Sequence, residues 1–287
     1  MALTFDCFVG IDWSGDKKPW QKGLKIAVAF PGRAAPRLEE CPTNKGRWSR
    51  TEAIRWIEEQ FGDKRALIGL DFAFGFPPVA LSGNAVLDWD YVESLCKLYP
   101  NFYGGAFFRP PVCKHSHLIN SPWLPKKEYS ADYLRMTDRV AMETVGARPQ
   151  SIFNAVGAAQ VGPSSISGMR ALRALQQRCG DKMAIWPFEE ARGVGSIIVE
   201  IFPRYYPLSK GKRSRLVDHD NLNCALAAFD SDESELAPKT EDEGDAILSA
   251  AALRYLSHQE LLFQLPAASI RSQGWIFGVP VRDTKSS

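Results

Sequence analysis

The sequence predicts an α/β fold built on one mixed sheet, and three observations carry that expectation. Short apolar or alternating runs at residues 5–12, 24–30 and 66–71 have the length of strands. A capping signal at Ser49 opens an amphipathic helix between the second and third of them. Two of these runs end on a carboxylate, Asp12 and Asp71, where an apolar strand has no packing use for one.

Taken in order, FDCFVGID at 5–12 sets Phe5, Cys7, Val9 and Ile11 on one side and stops at Asp12. LKIAVAF at 24–30 is a second strand, and the turn-rich Trp-Ser-Gly-Asp-Lys-Lys-Pro between them makes the pair an antiparallel hairpin with a long connection. RLEEC at 37–41 is a weak third strand. Ser49 with Glu52 gives the capping-box spacing, Ile54, Ile57 and Phe61 form one helical stripe, and Gly62 ends it. ALIGLD at 66–71 is a near-continuous apolar run, as a strand covered on both faces requires.

From Phe74 to about Pro163 prolines, glycines and aromatics dominate, so this stretch reads as an insertion packed on the core, with one helix expected over 131–145. A helix follows at 166–179, with Met169, Leu172 and Leu175 on one face, and SIIVEIFP from 196 is a further strand. Residues 230–245 hold eight acids against Lys239, and their first part reads as a solvated loop. Thr240 and Glu243 repeat the capping spacing, and Ile247, Leu248, Ala251, Ala252, Tyr255 and Leu256 make the stripe of a last helix. The whole, residues 1–287, is expected to be a single domain with its insertion at about 74–163.

Composition narrows the function classes. A chain of 287 residues with 45% hydrophobic content can close a large core. A formal charge of +2 is too mild for a nucleic-acid coat or a membrane-surface protein, so any basic patch must be local. No run approaches the ~20 apolar residues that span a bilayer, and no leader-like pattern opens the sequence, so no membrane partner and a cytoplasmic address are expected. Six cysteines scattered without CxxC pairing read as ordinary thiols in a reducing compartment.

The acids carry the chemistry. Asp12, Asp71 and Glu200 sit at or near strand ends, and Asp242 and Asp245 lie at i and i+3 in the first turn of the last helix, on one face. In an open α/β sheet functional groups gather outside the carboxyl ends of strands. Several carboxylates brought together would repel one another and take up protons unless a cation neutralised them. All-oxygen ligation suits Mg2+ or Mn2+, and two such ions roughly 3.5–4 Å apart can activate water and stabilise the leaving oxygen of a phosphodiester. Three of the acids also have a plainer role open to them: Asp12 as an Asx-turn residue, Glu200 facing solvent or pairing with Arg204, and Asp242 as a helix N-terminal acid.

Six segments then become familiar together: VGIDWSG at 9–15, IGLDFAFGFP at 68–77, PQSIFNAVGAAQVG at 149–162, IVEIFPR at 198–204, DEGDAILSAAALRYL at 242–256 and GWIFGVP at 274–280. They resemble the uncharacterised family of predicted RNase-H-like nucleases, domain of unknown function 429, over almost the whole chain. The D-x-x-D-A pattern of the last helix is also similar to the Holliday-junction resolvase branch of that superfamily. The resemblance implies a ribonuclease-H-like fold: a five-stranded mixed sheet of order 3-2-1-4-5 flanked by helices, here with a large insertion after the fourth strand. It implies acids on strand 1 (Asp12), strand 4 (Asp71) and the last helix (Asp242, Asp245) binding Mg2+ or Mn2+. Glu200 has no firm superfamily counterpart and falls in a family-typical E-x-x-P-R segment.

The leading expectation is therefore a metal-dependent nuclease that hydrolyses DNA or RNA with Asp12, Asp71, Asp242, Asp245 and Glu200 as ligands and catalytic acids. Arg204, Lys210, Lys212 and Arg213, with Arg215 beyond them, would hold nucleic-acid phosphates or else form a solvated basic loop. Phe102, Tyr103, Phe107, Phe108 and Trp123 would stack bases or fill the insertion's core. Cys113, His115 and His117 bring soft ligands together at a spacing that matches no known zinc finger. Ser164 to Ser167 beside Gly162 would cradle a phosphate or cap a helix. Two other classes compete. An actin-like ATPase or phosphotransferase is suggested because Asp12-x-Ser-Gly is similar to that superfamily's phosphate loop, although the second phosphate loop and the Gly-rich adenosine motif are not found. An inactive nucleic-acid-binding module is the other.

Overall fold

The computed structural model describes residues 3–80, 84–108, 133–155, 161–191, 193, 195–212 and 214–281. Its centre is a mixed sheet of six strands: β1 (Cys7–Asp12), β2 (Lys25–Ala29), β3 (Arg37–Leu38), β4 (Ala66–Leu70), β5 (Met183–Ile185) and β6 (Ser196–Glu200), in the order β3-β2-β1-β4-β6-β5. The first three run antiparallel as a meander; β4, β6 and β5 run parallel to β1. The expected neighbours 3-2-1-4 and the run from 196 beside them are all present. The expected five strands are a correction: a sixth, β5, lies outside β6 on the edge, only three residues long and too short to show a period. The strand expected at 37–41 shrinks to two exposed residues.

Period-two alternation divides the sheet into two faces. Cys7, Val9 and Ile11 of β1, Ile26 and Val28 of β2, and Ala66, Ile68 and Leu70 of β4 look toward one helical layer. That layer contains α1 (Arg50–Phe61), α2 (Ala85–Cys96) and α4 (Val161–Cys179). Helix α1 opens as its sequence predicts, with Ser49 Oγ accepting the Glu52 N–H at 3.0 Å, and buries Ala53, Ile54, Ile57 and Phe61. Burying side chains such as Ile54 and Ile57 contributes about 1.5–3 kcal/mol each. Helix α4 begins at Val161, earlier than the expected 166, because Pro163 sits in its first turn, where no intrahelical N–H is needed.

Phe8, Ala27, Leu67, Ile197 and Val199 look the other way, toward α3 (Met136–Val145), α5 (Tyr205–Ser209), α6 (His219–Ala227) and above all α7 (Glu241–Leu256). Helix α7 lies across β1, β2 and β4. It can do so because Gly10 and Gly69 are register partners on that face. A Cβ on Gly10 would stand 2.7 Å from Ala250 N and 2.9 Å from Ser249 Cβ, and one on Gly69 would stand 2.8 Å from Leu253 Cδ1. The helix answers with small residues, Ala246, Ser249 and Ala250 among them, buried at 0%. At its far end Arg254 fixes it by donating to the carbonyls of Phe30 (3.1 Å) and Ala34 (2.7 Å).

The described parts of the expected insertion pack on both layers: α2 lies against α4, and α3 lies against α5. A short 3-10 turn, Gly105–Phe108, buries Phe107 (0%) and Phe108 (2%), and Arg170 stacks over Phe102. These rings therefore fill core rather than present faces to a ligand, apart from Trp123, which lies outside the described residues. So do Cys113, His115, His117 and Arg213. Cys7, Cys41, Cys96, Cys179 and Cys224 are all free thiols. Among the described residues no helix is long and apolar enough to cross a membrane.

Candidate functional site

Asp12 ends β1 on the α7 face, in sequence with Phe8 and Gly10. Asp71 follows β4 on the same face, after Leu67 and Gly69, and its N–H donates to Ile11 O at 3.0 Å, so the two acids end adjacent parallel strands. Facing them is the first turn of α7. Thr240 Oγ1 accepts the Glu243 N–H (3.3 Å) and starts the helix there, which places Asp242 and Asp245 over the strand ends once the glycine seat has drawn α7 down. Asp242 also lies against the β1–β2 connection, its Oδ2 3.4 Å from where a Cβ of Gly23 would be. All four aspartates are half-buried and still reached by solvent.

Their charges act on one another. Burial, and then the negative charges of Asp71, Asp245 and Asp242, push the Asp12 carboxyl well above its ordinary range. Burial with Asp245, Glu200 and Asp242 does the same to Asp71. Asp245 is pushed up to about 7 by burial, Glu241 and Asp242, against the pull of Arg204 and Arg215. Asp242 rises through burial despite Lys25 and Lys22 nearby. Two carboxyls at the strand ends thus prefer to keep a proton, which is the expected state of acids crowded without a counter-charge.

Glu200 behaves differently, for a reason of register. Its Cα pairs with Leu70, not Asp71, so alternation directs it away from the α7 face. It is 2% exposed, and Arg135 grips it with Nη2 to Oε1 at 2.6 Å and Nη1 to Oε2 at 2.7 Å, while the Phe74 N–H donates to Oε2 at 2.9 Å. The pairing partner expected within the strand segment, Arg204, is instead turned to Ser214 O (2.8 Å). Arg135 also holds Asp138 (Nε to Oδ2 3.0 Å, Nη2 to Oδ1 2.9 Å), and between two carboxylates the guanidinium stays protonated although burial opposes its charge.

Among the basic residues, Arg204 and Arg215 flank Asp245 and Glu241, and Arg215 forms an ion pair with Glu241. Lys210 does not join them: its Nζ lies 4.2 Å from the Tyr255 ring and 5.3 Å from that of Phe229, at the opposite end of α7. Lys212 is half-buried in the loop after α5. Lys22 and Lys25, which the sequence reading passed over, stand on the other flank. Lys25 pairs across the strands with Asp12 and bonds Glu243 Oε1 at 2.8 Å. The signal was present in period two: Lys25, Ala27 and Ala29 share the Asp12 face.

The segment Ser164 to Ser167 proves to be helix interior. Ser165 Oγ accepts the Ala73 N–H (3.1 Å) and Ser167 Oγ accepts the Trp13 indole N–H (2.9 Å), so its hydroxyls anchor the loops behind Asp71 and Asp12. Gly15 is pressed on the same turn, where a Cβ would lie 2.7 Å from Pro163 C.

Four aspartates offering only oxygen, gathered on one face and in need of positive charge, match a hard divalent cation in chemistry and direction. They do not match it in closure: among the described residues no three His, Cys, Asp or Glu groups stand close enough to hold an ion. Comparison with protein-family models, with curated proteins and with solved structures gives no match for this chain.

Proposed function

We propose that the protein is a Mg2+- or Mn2+-dependent phosphodiester hydrolase of ribonuclease-H-like type, acting on DNA or RNA. The observation that carries this reading is that Asp12 and Asp71, at the ends of adjacent parallel strands, face Asp242 and Asp245 on the helix that covers them, where burial and then the charges of Asp71, Asp242 and Asp245 raise the proton affinity at the strand ends. A bound divalent cation would supply the missing positive charge, polarise the phosphoryl oxygen and lower the pKa of a ligating water. The side chains would rotate to close on it. Asp12, Asp71, Asp242 and Asp245 are the ligands in this reading, and Glu200 stands behind them. Lys22 and Lys25 on one flank, and Arg204 and Arg215 on the other, offer charge to the phosphates of a polymeric substrate. The sheet order around β1 and β4 and the six-segment resemblance to predicted RNase-H-like nucleases support the same assignment.

The experiment is cleavage of labelled single-stranded and structured DNA and RNA with Mn2+ or Mg2+, with Asp71→Asn as control. Cutting that needs the cation and is lost in the folded variant supports the proposal; cutting that survives Asp71→Asn removes its basis. An inactive nucleic-acid-binding module would bind the same polymers and never cut them. The ATPase reading gains nothing from the structure, because Gly15 of the would-be phosphate loop is closed against α4.

A further inference from the structure

The largest buried ionic network of the described residues lies directly behind Asp71. Glu200, Arg135 and Asp138 are 2%, 5% and 4% exposed, yet all three are charged groups. A buried pair of this kind contributes little to stability compared with apolar packing of the same volume, so its presence asks for another purpose. Its bonds supply one. The Glu200 Oε2 atom accepts the N–H of Phe74, three residues beyond Asp71, at 2.9 Å. Arg135 Nη1 donates to the same oxygen at 2.7 Å and to Gln273 O at 3.3 Å. Gly274 adopts φ +77°, and a Cβ there would stand 3.1 Å from Glu200 Oε2, so the C-terminal segment too is shaped around this carboxylate. Gln273 Oε1 in turn accepts the Met136 N–H at 2.9 Å, and Thr137 Oγ1 accepts the Ile276 N–H at 3.0 Å.

We infer that Glu200 is a positioning residue for Asp71 rather than a ligand: the Arg135-clamped carboxylate fixes the backbone from Asp71 to Phe74, and so sets where the Asp71 carboxylate meets a cation. This rests on the metal reading proposed above and assigns a role within it. Register supports it independently, since Leu70, not Asp71, is the partner of Glu200 and the side chain starts on the other face of the sheet. Outer partners that orient a metal-binding group typically change metal affinity by about 10–100-fold when removed.

The test is Mn2+ titration of the full chain by calorimetry, with circular dichroism to confirm folding. Glu200→Gln keeps one oxygen for the Phe74 N–H and Arg135 Nη1 but turns its NH2 toward Arg135 Nη2, so it should bind Mn2+ more weakly than wild type yet more tightly than Glu200→Ala, which removes both bonds and should bind at least about tenfold more weakly. Recovery in the amide variant is what a ligand carboxylate would not show, so equal weakness of the two variants overturns the inference, as does unchanged binding in Glu200→Ala. Should Glu200→Ala fail to fold, Arg135→Lys replaces it: the charge remains but the two-pronged grip is lost, and affinity should fall by the same factor. A freed ligand would instead bind as tightly as before or better, which overturns the inference. Wild-type protein that takes up no Mn2+ overturns the metal reading and this role with it, whereas binding that ignores Glu200 and Arg135 removes only the role.

Discussion

Asp245→Asn should make the cation-free protein more stable above about pH 4, with the full difference at neutral to alkaline pH. The carboxyl of Asp245 is raised from 3.8 to about 7 by burial and by the charges of Glu241 and Asp242. The native state therefore holds this proton more tightly than the unfolded chain. Stability linked to it is fully present below about pH 4 and is lost as pH rises through about 7. At roughly 1.4 kcal/mol per pKa unit, this shift corresponds to at most about 4 kcal/mol. Solvent still reaches the side chain, so about 1–2 kcal/mol is the figure to expect after screening. The amide cannot ionise and mimics the protonated acid, so the variant escapes the loss. Urea unfolding in EDTA at pH 8 should show Asp245→Asn ahead by that amount, and the gap should close toward pH 4. Adding Mg2+ at pH 8 should reverse the order, because only wild type gains from the cation. If the variant is equal to or less stable than wild type in EDTA at pH 8, crowding of negative charge at this site is refuted.

Three further outcomes follow from particular contacts. Gly10→Ala would force α7 off β1, since its Cβ would meet Ala250 N at 2.7 Å; a loss of about 1–3 kcal/mol in thermal unfolding is expected, together with weaker Mn2+ binding. Ser196→Ala would remove a hydroxyl that accepts the Ala66 N–H at 3.0 Å and donates to Lys64 O at 2.7 Å, at a cost of about 1–3 kcal/mol in chemical unfolding with no effect on cation affinity. Lys25→Gln would withdraw the charge that opposes the rise of Asp242, so the Asp242 carboxyl should titrate higher still, read by carbon NMR of the carboxylate with pH.

Much of the frame is written in local pattern. Strand β4 and helices α1 and α7 declare themselves through apolar runs and side-chain caps, and Ser49 and Thr240 each accept the expected N–H. The acid at Asp71 is legible because a carboxylate closing an apolar strand has no packing use there, whereas Asp12, ahead of a Ser-Gly turn, also has an Asx-turn role open to it. Other features depend on partners remote in sequence. Register with β4 decides the face of Glu200, and a one-residue slip reverses it, so the strand alone cannot show that Arg135, 65 residues away, would claim it. Helix α6 hides in a polar stretch where Asp218 supplies the cap, and α4 starts through a Gly-Pro-Ser-Ser run that reads as loop. Lys210 belonged to a basic cluster by sequence, yet aromatic rings at the far end of α7 hold it.

The seat made by Gly10 and Gly69 has a consequence for anyone moving this chemistry elsewhere. The residues that decide whether the acids meet are ones with no side chain at all. Grafting the four aspartates onto another parallel sheet would reproduce the inventory and miss the arrangement, because a sheet carrying ordinary side chains holds its covering helix too high for the first turn to reach the strand tips. A random-mutation screen should accordingly recover inactivating changes at these two bare backbone positions as readily as at the acids themselves.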